Sequence, residues 1–121
     1  SKKVHLQTFK RDWYYFIDHK GMLFLEETEP KNYTSCLKDD RFLDFFFKNL
    51  RPNKTGHEEN IYKYVSPCWG EMNFVACYRF PIVFRELTSL GNLRYGGTLQ
   101  SKFDPKLLFQ NEEGLLMHPI Q

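Results

Sequence analysis

Residues 13–25 read WYYFIDHKGMLFL, and this stretch decides the class of fold. Its first five residues are aromatic or β-branched, which favours a strand, and residues 22–25 return as a second apolar run. Between the two runs, Asp18 is suited to accept hydrogen bonds from the turn backbone, and Gly21 adopts a positive φ without steric conflict. The stretch therefore predicts a β-hairpin and, with it, an antiparallel sheet.

The clearest helix follows at residues 39–50. Asp39 or Asp40 is suited to cap its first turn, and Pro52 ends it. The apolar side chains repeat every three to four residues, so one helix face is predicted to pack on the sheet. That face consists of Phe42, Phe46 and Leu50, widened by Leu43 and Phe47.

Hairpin signals dominate the rest of the chain. The pair Gly96-Gly97 is suited to a two-residue type I′ turn, Ser66-Pro67 ends one strand, and Asp104-Pro105 opens a short helical turn. No strand–helix–strand series occurs, so the predicted fold is α+β: an antiparallel sheet of hairpins with one principal α-helix packed on it. We expect a flexible polar lead-in at residues 1–11 and one domain over 12–121. The further predicted strands span residues 61–65, 72–77, 82–84, 93–95, 98–100 and 115–117.

The composition is that of an ordinary globular protein, with 121 residues of which 41% are hydrophobic and 26% charged. Its 17 basic and 15 acidic residues give a net charge of +2. This balance argues against a nucleic-acid partner, because nucleic-acid-binding domains usually carry a basic excess on one face. No apolar run approaches the roughly 20 residues of a transmembrane helix, so a soluble protein is predicted.

The three cysteines predict reduced thiols. Cys36, Cys68 and Cys77 are odd in number and form no close pair, which argues against a disulfide framework and suits a reducing compartment. Zinc sites usually contain ligand pairs at C-x₂₋₄-C spacing, and the sequence has none. Neither a metal nor another cofactor is expected.

The densest cluster of unusual residues is segment 66–71, Ser-Pro-Cys-Trp-Gly-Glu. Cys68 is a candidate nucleophile if a neighbouring base lowers its pKa. No such base is evident, and a tight connection between strands explains Pro67 and Gly70 equally well. No catalytic residue is therefore assigned. The candidate ligand-binding residues are Ser66, Cys68, Glu71 and Asn73.

Two other patterns deserve a functional hypothesis. Asp18 and His19 are a candidate acid–base pair, although adjacent turn residues usually point apart. Aromatic residues make up 17% of the chain, which fits a dense core and also permits RNA binding by stacking on a sheet face. The residues considered for stacking are Tyr14, Phe16, Tyr62 and Tyr64.

As an ordered series, the motifs of residues 12–120 resemble the uncharacterised protein family 0598, also called domain of unknown function 4505. The resemblance rests on residues 14–25, 46–56, 66–68, 71–74, Cys77, 81–84, Gly96-Gly97 and 116–119. It implies an association with mitochondria, as in animal members, and it assigns no activity. The pattern is also similar to bacterial family 1285, which consists of antiparallel sheets with helices and is thought to bind or signal.

This chain departs from the family in two segments. The family tends to read Cys-Gly-Arg-Glu where residues 68–71 read Cys-Trp-Gly-Glu, and it favours acidic residues where Tyr78-Arg79-Phe80 follow Cys77. Any ionic site that the family builds there is in doubt for this chain. Family members also continue beyond the position of Gln121, which predicts a C-terminally incomplete domain with an exposed sheet edge.

Three functions follow as hypotheses. The leading one is a non-enzymatic protein-binding or assembly module of mitochondria, because the sequence shows no catalytic constellation and abundant aromatic residues suit partner binding. The second is an enzyme or small-ligand binder that uses segment 66–71. The third is RNA binding through the aromatic sheet face.

Overall fold

The N-terminal strands form the hairpin that the sequence predicts. In the computed structural model, which describes residues 12–121, β1 (Asp12–Ile17) pairs antiparallel with β2 (Leu23–Leu25). Asp18 Oδ1 accepts hydrogen bonds from the backbone N–H groups of Lys20 and Met22, at 3.0 and 2.9 Å. The turn prediction is thereby confirmed, whereas the predicted lead-in at residues 1–11 lies outside the described residues.

The predicted helix is confirmed as α1 (Asp40–Lys48), with Asp39 as its N-cap. The Asp39 side chain accepts hydrogen bonds from the N–H groups of the first turn, and the helix ends two residues before position 50. Its packed face is rotated slightly from the prediction, because Phe42 and Leu50 are only partly buried. The helix residues that are buried are Leu43, Phe46 and Phe47.

The central sheet has five strands in the order β2-β1-β5-β4-β3. It adds β3 (Arg51–Pro52), β4 (Tyr64–Cys68) and β5 (Glu71–Cys77) to the first hairpin. All pairs are antiparallel except β1 and β5, which run parallel along their whole length. The α+β class is confirmed, but the sheet is mixed because β1 and β5 join two separate hairpins side by side.

Strand β4 begins three residues later than the sequence predicts. The sequence predicted a strand at 61–65 that ends at Ser66-Pro67, whereas β4 continues through both residues to Cys68. Pro67 lies opposite Met72 of β5, and β3 pairs only with Tyr64 and Val65. The backbone nitrogen of Pro67 therefore points to the side of β4 where no strand pairs with it. Proline is tolerated there because no hydrogen bond to a neighbouring strand is lost.

The C-terminal part forms two small sheets. β6 (Glu86–Leu87), β7 (Asn92–Tyr95) and β8 (Leu99–Lys102) make a three-stranded antiparallel sheet, and β9 (Phe109–Gln110) pairs with β10 (Leu116–Met117). The short helical turn is confirmed at Pro105–Leu107, after its cap Asp104. The strand predicted at 82–84 is wrong, because that segment pairs with no strand among the described residues.

The β7–β8 hairpin has a three-residue turn rather than the predicted two-residue turn. Tyr95 pairs with Leu99, so Gly96, Gly97 and Thr98 form the loop. The cause lies on the helix: Asp44 Oδ1 accepts hydrogen bonds from the N–H groups of Gly97 and Thr98, at 3.0 and 2.6 Å. A Cβ atom at Gly97 would lie 2.8 Å from the carbonyl oxygen of Asp40, so only glycine fits against the helix backbone.

The sheet carries a hydrophobic core on each face. On the helix side, α1 packs against Tyr15, Ile17 and Val75, and the Ser66 hydroxyl donates to the Phe46 carbonyl at 2.6 Å. On the opposite side, the loop before β4 supplies Tyr62, which covers Phe74. The central residues of β5, from Met72 to Val75, are therefore buried on both faces of the sheet.

Candidate functional site

The four predicted ligand-binding residues come together at the β4–β5 hairpin. The Asn73 amide donates to the Ser66 carbonyl at 2.8 Å, and Glu71 Oε2 accepts from the Trp13 indole N–H at 3.0 Å. Ser66, Cys68 and Asn73 are buried, and Glu71 is half-buried. Each of the four side chains makes at least one hydrogen bond within the protein. Ligand binding at this hairpin remains a prediction.

The Cys68 thiol lies in an environment that disfavours a thiolate. Burial raises the pKa of Cys68, and the opposing effects of hydrogen bonds from Ser66 and Asn73 are smaller. A nucleophilic cysteine needs the reverse, a lowered pKa with access to substrate. The thiol is therefore predicted to be unreactive in the folded protein.

We expect iodoacetamide to modify Cys36 well before Cys68 near neutral pH. Cys36 is partly exposed, whereas Cys68 is only 3% exposed and its raised pKa leaves little thiolate. Mass spectrometry of peptides from timed samples would measure both rates, with urea-unfolded protein as the control in which the rates converge. Fast labelling of Cys68 in the folded protein would contradict burial and favour the enzyme hypothesis.

The aromatic residues considered for RNA stacking do not share one surface. Tyr14 stacks on Phe74 on the sheet face away from the helix, whereas Tyr64 packs into the core on the helix side. Tyr62 is buried, and its hydroxyl donates to both carboxylate oxygens of Glu26, at 2.6 and 2.8 Å. Burial and this carboxylate raise the pKa of Tyr62. These contacts favour a packing role for Tyr14, Tyr62 and Tyr64.

An apolar groove of about 820 Å³ lies next to the first turn. One wall is the irregular segment 78–84, and the other is segment 115–120, which includes β10. Its rim is open to water, since Leu116 is 69% exposed and Tyr78 is also exposed. The lining consists of Asp18, His19, residues 78–84, residues 115–118 and Ile120.

Specific contacts hold the two walls in place. Gly21 has φ +83°, and a Cβ atom there would lie 2.9 Å from Val83 Cβ, so glycine allows the first turn to sit directly on segment 78–84. Arg79 of the first wall forms an ion pair at 2.8 Å with Glu113, which lies in the turn just before the second wall. The Asp104 N–H donates to His118 Nε2 at 3.0 Å, which fixes the second wall to the preceding segment.

The groove is suited to bind an apolar group, because most of its lining side chains are apolar. The Asp18 carboxylate serves the turn backbone, and the His19 ring lies edge-on against Tyr78 with the centroids 6.0 Å apart. Both residues line the groove, and the contacts of Asp18 fit the turn role that the sequence favours over an acid–base pair. Because the sequence predicts a strand at residues 82–84, it does not predict the groove. The sequence signal for the groove is that the apolar run at 82–84 has no second run with which to form a hairpin.

Two further findings concern the cysteines and the helices. Cys36, Cys68 and Cys77 are free thiols, in agreement with the prediction of reduced cysteines. Within residues 12–121, no helix has the length and apolar character needed to cross a membrane.

The comparisons identify a family and no structural match. The family model described as Domain of unknown function (DUF4505) matches residues 5–121, which covers nearly the whole chain. No solved structure matches the chain.

Proposed function

The chain belongs to the family described as Domain of unknown function (DUF4505), and we propose that it is a non-enzymatic protein-binding module of mitochondria. Its binding surface is the groove between segments 78–84 and 115–120. The occupant is an apolar segment of a partner protein. The observation that carries the proposal is an open groove of about 820 Å³ with large exposed apolar side chains at its rim.

The exposure of the rim supports a polypeptide as the occupant. Small-molecule sites bury about 70–90% of their ligand, which requires an enclosing cavity. Here Tyr78, Leu116 and Ile120 remain exposed, so an extended segment can pass along the groove and cover them. A few side chains at the centre of an interface contribute most of its binding energy, and tyrosine is among the residue types enriched there.

The mitochondrial part of the proposal comes from the family resemblance, since animal members are associated with mitochondria. Three free thiols are consistent with a reducing compartment. Cell fractionation with an antibody against the endogenous protein, followed by protease protection of intact mitochondria, tests this part. Recovery in the cytosolic fraction alone would contradict it.

Site-specific photo-crosslinking tests the groove directly. The purified protein, with benzoylphenylalanine in place of Leu116, is irradiated in a detergent extract of mitochondria. We expect the probe at Leu116 to form a discrete adduct with one partner protein. A probe in place of Tyr78, on the opposite wall, should form an adduct with the same partner. The matched control places the probe at Leu90, which is 85% exposed and lies outside the groove. Identical adducts from Leu90, or none from either groove position, would contradict a partner in the groove.

The volume of the groove favours a small apolar ligand as a second candidate. Ligand sites typically enclose about 300–1,000 Å³, and this groove falls within that range. A screen of metabolites by thermal shift, repeated with Val83→Asp, tests this candidate. A stabilising compound whose effect disappears in the variant would replace the partner protein as the occupant.

A further inference from the structure

A second exposed apolar surface lies at the tip of the β4–β5 hairpin, away from the groove. Trp69, which is 57% exposed, stacks on Phe45 of α1 with ring centroids 4.2 Å apart and planes 13° from parallel. Phe42, one turn earlier on the helix, supports the same ring at 6.4 Å and packs into the core. Trp69, Phe45 and Phe42 form what we call the aromatic platform.

The backbone at Trp69 is unfavourable for tryptophan. Trp69 and Gly70 connect Cys68 to Glu71 and have φ values of +48° and +78°. Two positive values in a two-residue hairpin loop favour Asn-Gly, because Asn tolerates the left-handed region better than a bulky residue does. The chain thus places a large exposed ring where a small polar residue would serve the fold better. Strained residues of this kind concentrate at functional sites.

Three basic residues lie on the elements next to the platform. Arg41 and Lys48 lie one turn before and one turn after Phe45 on the helix surface, and Arg51 follows the helix in β3. All three are exposed, and none forms an ion pair with another described residue. Of the neighbouring carboxylates, Asp44 binds the β7–β8 loop and Glu71 accepts from Trp13, whereas Asp40, next to Arg41 in the chain, is exposed.

We propose that the aromatic platform binds an acidic segment of a partner protein. An apolar side chain of that segment packs on the outer face of Trp69, and its carboxylates pair with Arg41, Lys48 and Arg51. Tryptophan and arginine are the residues most enriched at the energetic centres of protein interfaces. The balanced net charge of +2 favours a protein over RNA, which usually requires a larger basic surface. This surface does not include the groove, so the two proposals can fail separately.

Fluorescence anisotropy with defined probes tests the proposal. The probes are a fluorescein-labelled peptide that alternates Glu and Phe, the same peptide with Gln for Glu, and oligouridylate of equal length. We expect the acidic peptide to bind, and Trp69→Asn or the pair Arg41→Glu and Lys48→Glu to weaken it about tenfold or more. The charge-matched control, Lys102→Glu with Lys106→Glu, changes exposed cations elsewhere and should leave affinity nearly unchanged.

Thermal melting separates binding from folding. Because Asn suits the turn better than Trp, Trp69→Asn should melt at the same temperature as the parent protein or higher while it loses the peptide. Equal affinities in parent and platform variants would overturn the proposal, as would tighter binding of oligouridylate than of the acidic peptide. Self-association that disappears with Trp69→Asn, without peptide binding, would show a second copy of the chain as the occupant.

Discussion

Replacement of Phe46 by alanine is expected to reduce the free energy of unfolding by about 3–5 kcal/mol. Phe46 is 0% exposed at the contact between α1 and the sheet, and its ring meets that of Tyr15 edge-on at 5.1 Å. The substitution removes this burial and leaves a cavity between helix and sheet, which surrounding side chains fill only in part. Urea unfolding followed by circular dichroism measures the loss.

The neighbouring helix residue provides the matched control for this prediction. Phe45 is 36% exposed and contacts Trp69 on the outside of the helix. Phe45→Ala removes the same number of atoms but should cost much less, since no buried cavity results. A loss below about 1 kcal/mol for Phe46→Ala would show that this helix face is not the core.

Asp44→Ala is expected to cost about 2–3 kcal/mol near neutral pH. The carboxylate of Asp44 holds the β7–β8 loop against α1 through hydrogen bonds from the N–H groups of Gly97 and Thr98 and from the Thr98 hydroxyl. Hydrogen bonds to a charged group contribute about 1.5–3 kcal/mol each, and Gly97 is buried, so its N–H would lose its acceptor without gaining water.

The stabilisation by Asp44 should depend on pH in a defined direction. Burial by itself raises the pKa of Asp44, but the hydrogen bonds from Thr98, Gly97 and Leu99 outweigh it and lower the pKa below its usual value. A group whose pKa is lowered by folding stabilises the fold above its unfolded pKa of about 3.9 and loses that effect as the pH falls through its folded pKa. The difference between parent and Asp44→Ala should therefore be full at pH 6 and shrink below about pH 4.

Urea unfolding of both proteins across this pH range measures that dependence. Asp40→Ala, at an exposed carboxylate one helical turn earlier, is the control and should show a much smaller effect. Gly97→Ala tests the same contact between the loop and the helix. It should also destabilise the protein, because the added Cβ atom would collide with the Asp40 backbone. If Asp44→Ala cost the same at every pH, the carboxylate would not be the source of the stabilisation.

Local signals predicted the elements that local interactions determine. Asp18 and Gly21 specify the first turn through the hydrogen bonds and backbone angle seen in the structure, and Asp39 caps the helix as expected. The helix stripe also identified the buried Phe46. In these segments, each residue type acts on neighbours within a few positions, so one sequence suffices to predict the result.

Contacts between distant residues explain what the sequence analysis missed. Asp44 sets the length of the β7–β8 loop from more than 50 positions away, and Pro67 is tolerated because β3 ends before reaching it. The groove likewise depends on the meeting of segments 78–84 and 115–120. The aromatic platform arises because a hairpin tip meets an outward-facing helix residue, Phe45. None of these partners is specified by spacing along the chain.

The parallel pairing of β1 with β5 has a consequence for how the protein is made. Asp12 pairs with Met72, so a ribosome must add about 60 residues after β1 before its partner strand exists. Synthesis proceeds at about 5–20 residues per second, so the edge of β1 that pairs with β5 has unpaired backbone groups for roughly 3–12 s in the nascent chain. That edge is the aromatic run Trp13 to Ile17, a sequence prone to pair with other chains. Biosynthesis of this protein should therefore depend on chaperones that cover the emerging strand until β5 arrives.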